Sequence, residues 1–177
     1  MSKRVVFPLL SVVVLIAVVI AGYNLFYSFR YPKKYDQIVT EVAARYALSP
    51  ALVMGVIHAE SGFRADAHSP KGAEGLMQVL PDTARGLDIP PETLSLPPVN
   101  IEAGTRYLAY LRARFPDRRT YLAAYNAGEG RVAGWLRDPA YSADGKSLRS
   151  IPYEETRNYV ERVTDAERVY RHYHHMG

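Results

Sequence analysis

The chain has 177 residues, 48% hydrophobic, 11% aromatic and 23% charged, which allows one ordinary domain with a short extra segment and excludes disorder over most of its length. Lys and Arg number 22 against 18 Asp and Glu, and residues 1–29 hold only Lys3 and Arg4, so the remainder is close to neutral and leaves no footprint for nucleic-acid binding. The absence of Cys excludes a disulfide framework, a Cys nucleophile, a thiolate zinc site and a lipid-modified N-terminal Cys.

Residues 1–29 are expected to form an N-terminal membrane anchor or a signal sequence. Val5 to Phe29 contains no charge, and Val12 to Ala21 is an unbroken apolar run. About 20 apolar residues span a bilayer core as a helix. Tyr23, Phe26, Tyr27 and Phe29 stand where an interfacial aromatic belt belongs, with Arg30, Lys33 and Lys34 just beyond. In the competing reading, a cleaved signal peptide, Val19 and Ala21 are the small residues before a cut. The long apolar run, with no polar stretch ahead of that site, favours a retained anchor. Basic residues flank both ends, so charge alone does not set the orientation.

Residues 30–34 form a linker, and residues 35–177 a second, mostly α segment. Tyr35, Ile38, Val39, Val42 and Tyr46 recur at helical spacing. Ser49-Pro50 signals a helix start, a capping hydroxyl followed by Pro at the first helical position, and that helix carries Leu52, Val53, Val56 and Ile57 until Ser61-Gly62. A Gly-rich loop follows to Gly75. One or two helical turns fit 81–87, and the Pro-rich 89–99 is irregular. Asn100 is expected to cap a helix bearing Ile101, Leu108, Leu111 and Phe115; others fit 120–127 and 131–136. The last, after Pro152, aligns Tyr159, Val163, Ala166 and Tyr170. No period-two run of useful length occurs. The fold class is therefore mostly α, a single helical domain with a long loop-lined cleft.

Glu60 lies four residues after Val56 and three after Ile57, on an apolar helix face near the helix end. Partial desolvation there raises a carboxyl pKa, as a general acid working near neutral pH requires. The plainer alternative is a helix-end Glu satisfied by neighbouring hydrogen bonds or by Arg64.

The context decides between them. AESGFRADAHSPKGAEGLMQ at 59–78, AAYNAG at 123–128 and IPYEETRNYV at 151–160 occur in order with consistent spacing. Together they resemble the catalytic domain of the soluble-type lytic transglycosylases, with its goose-lysozyme-like fold, over roughly residues 35–175. The resemblance implies non-hydrolytic cleavage of the β-1,4 bond between N-acetylmuramic acid and N-acetylglucosamine in peptidoglycan. It implies Glu60 as the single acid, then base, which protonates the glycosidic oxygen and afterwards takes the proton of the muramyl C6 hydroxyl as that oxygen closes a 1,6-anhydro ring. It also places Ser69, Gln78, Tyr125, Asn126 and Tyr159 around the substrate, the Tyr159 hydroxyl directed at the catalytic carboxylate, with Met77 and Ser61 beside the cleft. No metal or organic cofactor is implied. Arg149 departs from the family, which commonly carries a carboxylate two positions before the Ile-Pro of the third motif.

From the residues alone, Ser69 is equally a turn residue before Pro70, Met77 a core residue, and Tyr125 and Asn126 a core Tyr and a capping residue. Glu155 and Arg157 are expected to brace the start of the last helix. His172, His174 and His175 are expected as a solvated tail, and His58 points to another helix face than Glu60. Two further functions stay open. A lysozyme-type hydrolase needs a second carboxylate, for which Asp66 is the first candidate; a non-catalytic wall-binding or scaffold protein needs none. The expected location is the cytoplasmic membrane, single-pass, with the domain on the extracytoplasmic or periplasmic side where the glycan is. A secretion, division or wall-building apparatus is the kind of partner such a tether suits.

Overall fold

The computed structural model describes residues 3–176, with side chains from residue 12 onward, so the charges expected at Lys3 and Arg4 lie outside the described side chains. The chain falls into two compact units that part between Lys33 and Lys34. In the first, α1 (Lys3–Arg30) contains Val12–Arg30, a stretch of mean hydropathy 2.2 with none of it buried. It is a candidate membrane span by length and composition. Tyr27 lies 4.4 Å from Tyr23 and 5.8 Å from Tyr31 between ring centroids, and the Arg30 guanidinium sits 5.2 Å above the Tyr31 ring. Such amphipathic tips suit the water–lipid boundary.

The second unit is helical: α2 (Asp36–Arg45), α3 (Pro50–Glu60), α4 (Pro81–Gly86), a 3₁₀ turn at Pro91–Thr93, α5 (Pro97–Arg114), α6 (Arg118–Ala127), α7 (Glu129–Arg137) and α8 (Glu154–Tyr173). The described residues pair in β fashion only at two isolated bridges, His68 with Glu74 and Glu74 with Val79. The core forms around α3, whose residues Ala51 to Ile57 are all buried. A helix apolar on every side must be enclosed, and α2 and α8 cover it. Gly55 permits the approach of α8: a Cβ there would lie 2.9 Å from the Val163 carbonyl oxygen.

α3 starts at Pro50 as expected, whereas two other helix starts differ from expectation, each for a local reason. Pro50 occupies the first turn of α3, but the Ser49 hydroxyl makes no capping bond. α5 begins at Pro97, with both prolines in its first turn, so Asn100 lies inside the helix. α6 begins at Arg118 because Asp117 caps it, accepting the Thr120 N–H at 2.9 Å and the Thr120 hydroxyl at 2.6 Å.

Asn100 has a larger role than a cap. It is buried, accepts the Met77 N–H at 2.7 Å, and donates to the carbonyls of Glu74 and Leu94, both at 2.9 Å. The bonds to Met77 and Glu74 fasten the loop between α3 and α4 onto α5, and the bond to Leu94 ties in the segment just before α5. Within that loop Gly75 N donates to Ala67 O at 2.8 Å, and Glu74 and Val79 exchange two bonds of 3.0 Å. A segment without strands or helices is thereby held in one conformation.

Candidate active site

Glu60 is the last residue of α3 and opens onto a cavity of about 280 Å³, lined also by Ser69, Lys71, Gln78, Tyr125, Asn126 and Glu155. Burial is the main cause that pushes the Glu60 carboxyl up from its usual 4.5 to about 7; the nearby Glu155 charge adds to the rise, while the Tyr159 hydroxyl and the Arg162 charge oppose it. No ion pair engages Glu60 among the described residues. A carboxyl in this state is a proton donor at neutral pH and a base once the proton has left.

Tyr159 and Arg162 come from α8, where Glu155, Tyr159 and Arg162 follow one helical stripe. Tyr159 is only 1% exposed, and its hydroxyl is the one buried side-chain polar atom without a hydrogen-bond partner among the described residues. It faces the Glu60 carboxylate without reaching hydrogen-bond geometry. Arg162 stands 5.9 Å above the Tyr159 ring. Burial raises the phenols of Tyr159 and Tyr125 well above the ordinary value, so both stay protonated donors at any working pH.

The opposite wall comes from the fastened loop and α6. Gln78 has φ +49°, a left-handed conformation uncommon for a side-chain-bearing residue. Its Nε2 donates to the carbonyls of Ala67 at 3.0 Å and Gly75 at 2.9 Å. Both partners are acceptors, so the amide orientation is fixed and Oε1 is left as the group for a ligand. Gln78 therefore offers an acceptor only. The Ser69 hydroxyl accepts the Ala73 N–H at 3.0 Å, which closes the 69–73 turn, and keeps its own proton to donate.

α6 ends in Tyr125-Asn126-Ala127 before Gly128, whose φ of 92° and ψ of 142° are open to Gly alone and let α7 start at once. The Tyr125 hydroxyl donates to the Met77 carbonyl at 2.9 Å, so its ring, not its hydroxyl, is presented to the cavity. Asn126 accepts the Thr156 hydroxyl at 2.8 Å, leaving its Nδ2 as a free donor. A second cavity of about 300 Å³ shares Lys71, Gln78, Leu80, Tyr125 and Asn126 with the first and adds Tyr107 and Arg131. A third, lined by Thr83, Gly86, Leu87, Tyr107 and Tyr110, continues from it. The tyrosine rings step along this trough, Tyr125 to Tyr107 at 5.5 Å and Tyr107 to Tyr110 at 6.2 Å. Stepped phenol faces with sparse polar groups suit a chain of apolar-faced sugar rings.

The structure thus gathers Glu60, Ser69, Gln78, Tyr125 and Asn126 at one cavity and alters the reading of other residues. Met77 is fully buried; its sulfur accepts the Thr105 hydroxyl at 3.7 Å, so its side chain belongs to the core and cannot meet a substrate. Ser61 is buried, with its hydroxyl 2.8 Å from the Leu76 carbonyl, and ties the loop to α3 where a cleft contact was expected. Tyr159 is too enclosed for a sugar contact and acts on Glu60 from beneath. Glu155, expected as a structural brace, lines the cavity; Arg157 alone braces, donating to the Ile151 carbonyl at 2.7 Å. Arg149 holds the carbonyls of Pro139 and Ala140 at 2.8 and 3.2 Å, and Asp66 is exposed and lines none of these cavities. Among the described residues no three His, Asp or Glu converge as a metal site.

A desolvated carboxyl thus stands above a tyrosine-stepped trough, on a helical scaffold without strands among the described residues. Residues 37–147 match the family model for the transglycosylase SLT domain, and the chain belongs to that family. It is 38% identical to the soluble lytic murein transglycosylase of Salmonella typhimurium, covering 81% of this chain and 24% of that one. It is 32% identical to membrane-bound lytic murein transglycosylase C of Actinobacillus pleuropneumoniae, covering 79% of this chain and 46% of the relative. Among solved structures, an inactive mutant of the lytic transglycosylase Slt of Pseudomonas aeruginosa superposes with a TM-score of 0.72 at 31% identity, over 84% of this chain and 26% of that one. The chain spans about a quarter to about half the length of these curated relatives.

Proposed function

We propose that this protein is a membrane-anchored lytic transglycosylase that cleaves peptidoglycan without adding water. The observation that carries the reading is Glu60, a carboxyl pushed up to about 7 on the wall of a saccharide-sized trough. Protonated Glu60 gives its proton to the glycosidic oxygen between N-acetylmuramic acid and N-acetylglucosamine. The resulting carboxylate takes the proton of the muramyl C6 hydroxyl while that oxygen bonds to C1, and a 1,6-anhydro end results. The proton lost in the first step is recovered in the second, so the acid is regenerated. The substrate supplies the nucleophile, and one carboxyl suffices where ordinary glycosidases use two. Tyr125 offers a ring face, Gln78 Oε1 an acceptor, and Ser69 and Asn126 donors to the sugars, while Tyr159 and Arg162 hold the Glu60 titration near neutrality.

One observation favours hydrolysis as a second reading: Glu155 opens onto the same cavity as Glu60 and is exposed to solvent. In that mechanism Glu155 deprotonates a water that attacks C1. Mass spectrometry of products from purified peptidoglycan, digested by the detergent-solubilised chain, separates the two. Muropeptides lighter by one water, abolished by Glu60→Gln and retained in Glu155→Gln, support the transglycosylase. Reducing ends lost in Glu155→Gln support the hydrolase.

The apolar exposure of Val12–Arg30 supports a retained single-pass span in the cytoplasmic membrane, with residues 34–177 on the outer side among wall glycan. Such a tether suits local wall opening beside a secretion or division apparatus. Retention of the full-length chain in carbonate-washed membranes, with the domain cleaved by protease only after the outer face is exposed, tests both placement and orientation.

A further inference from the structure

The cavity next to Glu60's contains exactly two charged side chains, and both are cationic: Lys71 from the fastened loop and Arg131 from α7. Neither is neutralised. Lys71 is exposed and has no ion-pair or hydrogen-bond partner among the described residues. Arg131 is exposed too; it donates one bond, to the Ala127 carbonyl at 2.9 Å, and lies 5.3 Å above the Tyr153 ring, leaving further N–H donors with no carboxylate to meet. Four surface arginines elsewhere pair with carboxylates, Arg45 with Glu102, Arg85 with Asp82, Arg114 with Glu129 and Arg168 with Asp165, whereas Arg64, Arg119 and Arg149 bond to backbone carbonyls. Lys71 also borders the cavity of Glu60 and Glu155, but no carboxylate lines the second cavity, and two cations on its concave wall favour an anionic group there.

Neutral sugars do not call for that field, since hydroxyl and N-acetyl groups are already met by Gln78, Asn126 and the tyrosine faces. Building on the reaction proposed above, we propose that Lys71 and Arg131 form a carboxylate-binding subsite beside the cleavage point, which makes the enzyme select strands by their acidic substituents. Peptidoglycan offers that chemistry from two sources: the lactyl carboxylate of a muramyl residue without its peptide, and the carboxylates of the attached stem peptide. Charge-assisted bonds from a planar guanidinium and an ammonium suit either.

The test uses the full chain in detergent with peptide-bearing strands and amidase-stripped strands, each before and after conversion of carboxyl groups to primary amides. Expected is a fall of about tenfold in wild-type kcat/KM when the recognised strand is amidated, the size of one charge-assisted contact at a partly open site. The Lys71→Gln/Arg131→Gln variant is expected to lose that sensitivity, and Lys71→Arg/Arg131→Lys to keep it. The strand that responds identifies the source of the carboxylate. Wild-type insensitivity to amidation of both strands, or unchanged sensitivity in the double Gln variant, overturns the subsite. If the wild type cleaves no strand, the reaction proposed above fails instead; affinity of the Glu60→Gln chain for the same four strands, with and without the two cations, then decides the subsite by the same criterion.

Discussion

The packing of α8 against α3 encloses two carboxylates, Glu60 and Glu167, and they are treated in opposite ways. Glu167 lies where α8 passes Gly55, with only 8% of its side chain exposed, and it is held by two guanidiniums, Arg118 and Arg171, the latter at 2.6 Å. Glu60 meets no cation directly; its neighbours are a phenol without a partner and an arginine set back over that phenol's ring. Pairing keeps a buried carboxylate ionised and inert, whereas burial without pairing leaves a proton that can be given away. The seam therefore gives the deeper acid two cations and leaves the half-buried one without any.

Exchanging the proton for an amide has the largest expected effect. Glu60→Gln should lower kcat by about 10³-fold, within the range for loss of a general acid and base. In the wild type, activity should decline as pH rises through about 7, where the Glu60 proton leaves. Stability gives an independent check. The folded-state pKa lies above the ordinary 4.5, so the favourable contribution is complete below about 4.5 and is lost as pH rises through about 7. Glu60→Gln should thus match the wild type at pH 4 and exceed it by about 2 to 3 kcal/mol at pH 8 in denaturant titrations. Equal stabilities at both pH values would contradict the desolvated acid.

The paired carboxylate should respond the other way round. Glu167→Gln leaves two guanidiniums facing a neutral amide across the seam, and since both reach solvent the loss should be about 1 to 3 kcal/mol of stability. Below its melting transition, turnover should stay near the wild-type level. A fall in activity without a fall in melting temperature would break the division between the two acids.

Between those effects lies the loop that carries Ser69 and Gln78. Asn100→Ala removes the two bonds that fasten it to α5 and a third to the Leu94 carbonyl, so about 2 kcal/mol of stability should be lost. Asn100→Asp keeps the acceptor for Met77 N–H but sets a carboxylate oxygen against the Glu74 and Leu94 carbonyls, so it should lose at least as much. Hydrogen exchange at residues 67–79 reads the loop directly: it should accelerate in Asn100→Ala before the global transition.

How far this arrangement was visible in the sequence differs by residue. The Glu60 pKa was foreseeable because it follows from helix periodicity: an acid on an apolar stripe at a helix end. The helices of the second unit were foreseeable for the same reason, and the starts that shifted did so where Pro97, Pro98 and Asp117 outweighed the apolar pattern. Asn100 was misjudged as a cap because its partners, Met77 N and the carbonyls of Glu74 and Leu94, come from two irregular segments that have no periodicity to place them. The free atoms of Gln78 and Asn126 could not be assigned from composition, since which end of an amide is spent depends on tertiary acceptors. Glu155 shares a helical stripe with Tyr159, and that spacing was the available signal that it turns toward Glu60 instead of bracing the helix.

The smallest effect discriminates best between a core tyrosine and a positioning residue. Tyr159 buries a hydroxyl that bonds to nothing, so Tyr159→Phe removes no hydrogen bond and sheds a desolvated polar group; stability should hold within about 0.5 kcal/mol or rise slightly. The same hydroxyl opposes the upward push on Glu60, so its loss should raise that pKa further and move the alkaline limb of kcat to higher pH. A higher Glu60 pKa makes the first step harder, since the proton must leave for the glycosidic oxygen and the carboxylate forms without the phenol's support, and kcat at pH 7 should fall by about tenfold. A plain core tyrosine predicts the reverse pattern: lower stability from lost packing and contacts, with the pH limb unmoved. Only the combination of unchanged stability, reduced kcat and a shifted limb places the Tyr159 hydroxyl in the service of Glu60.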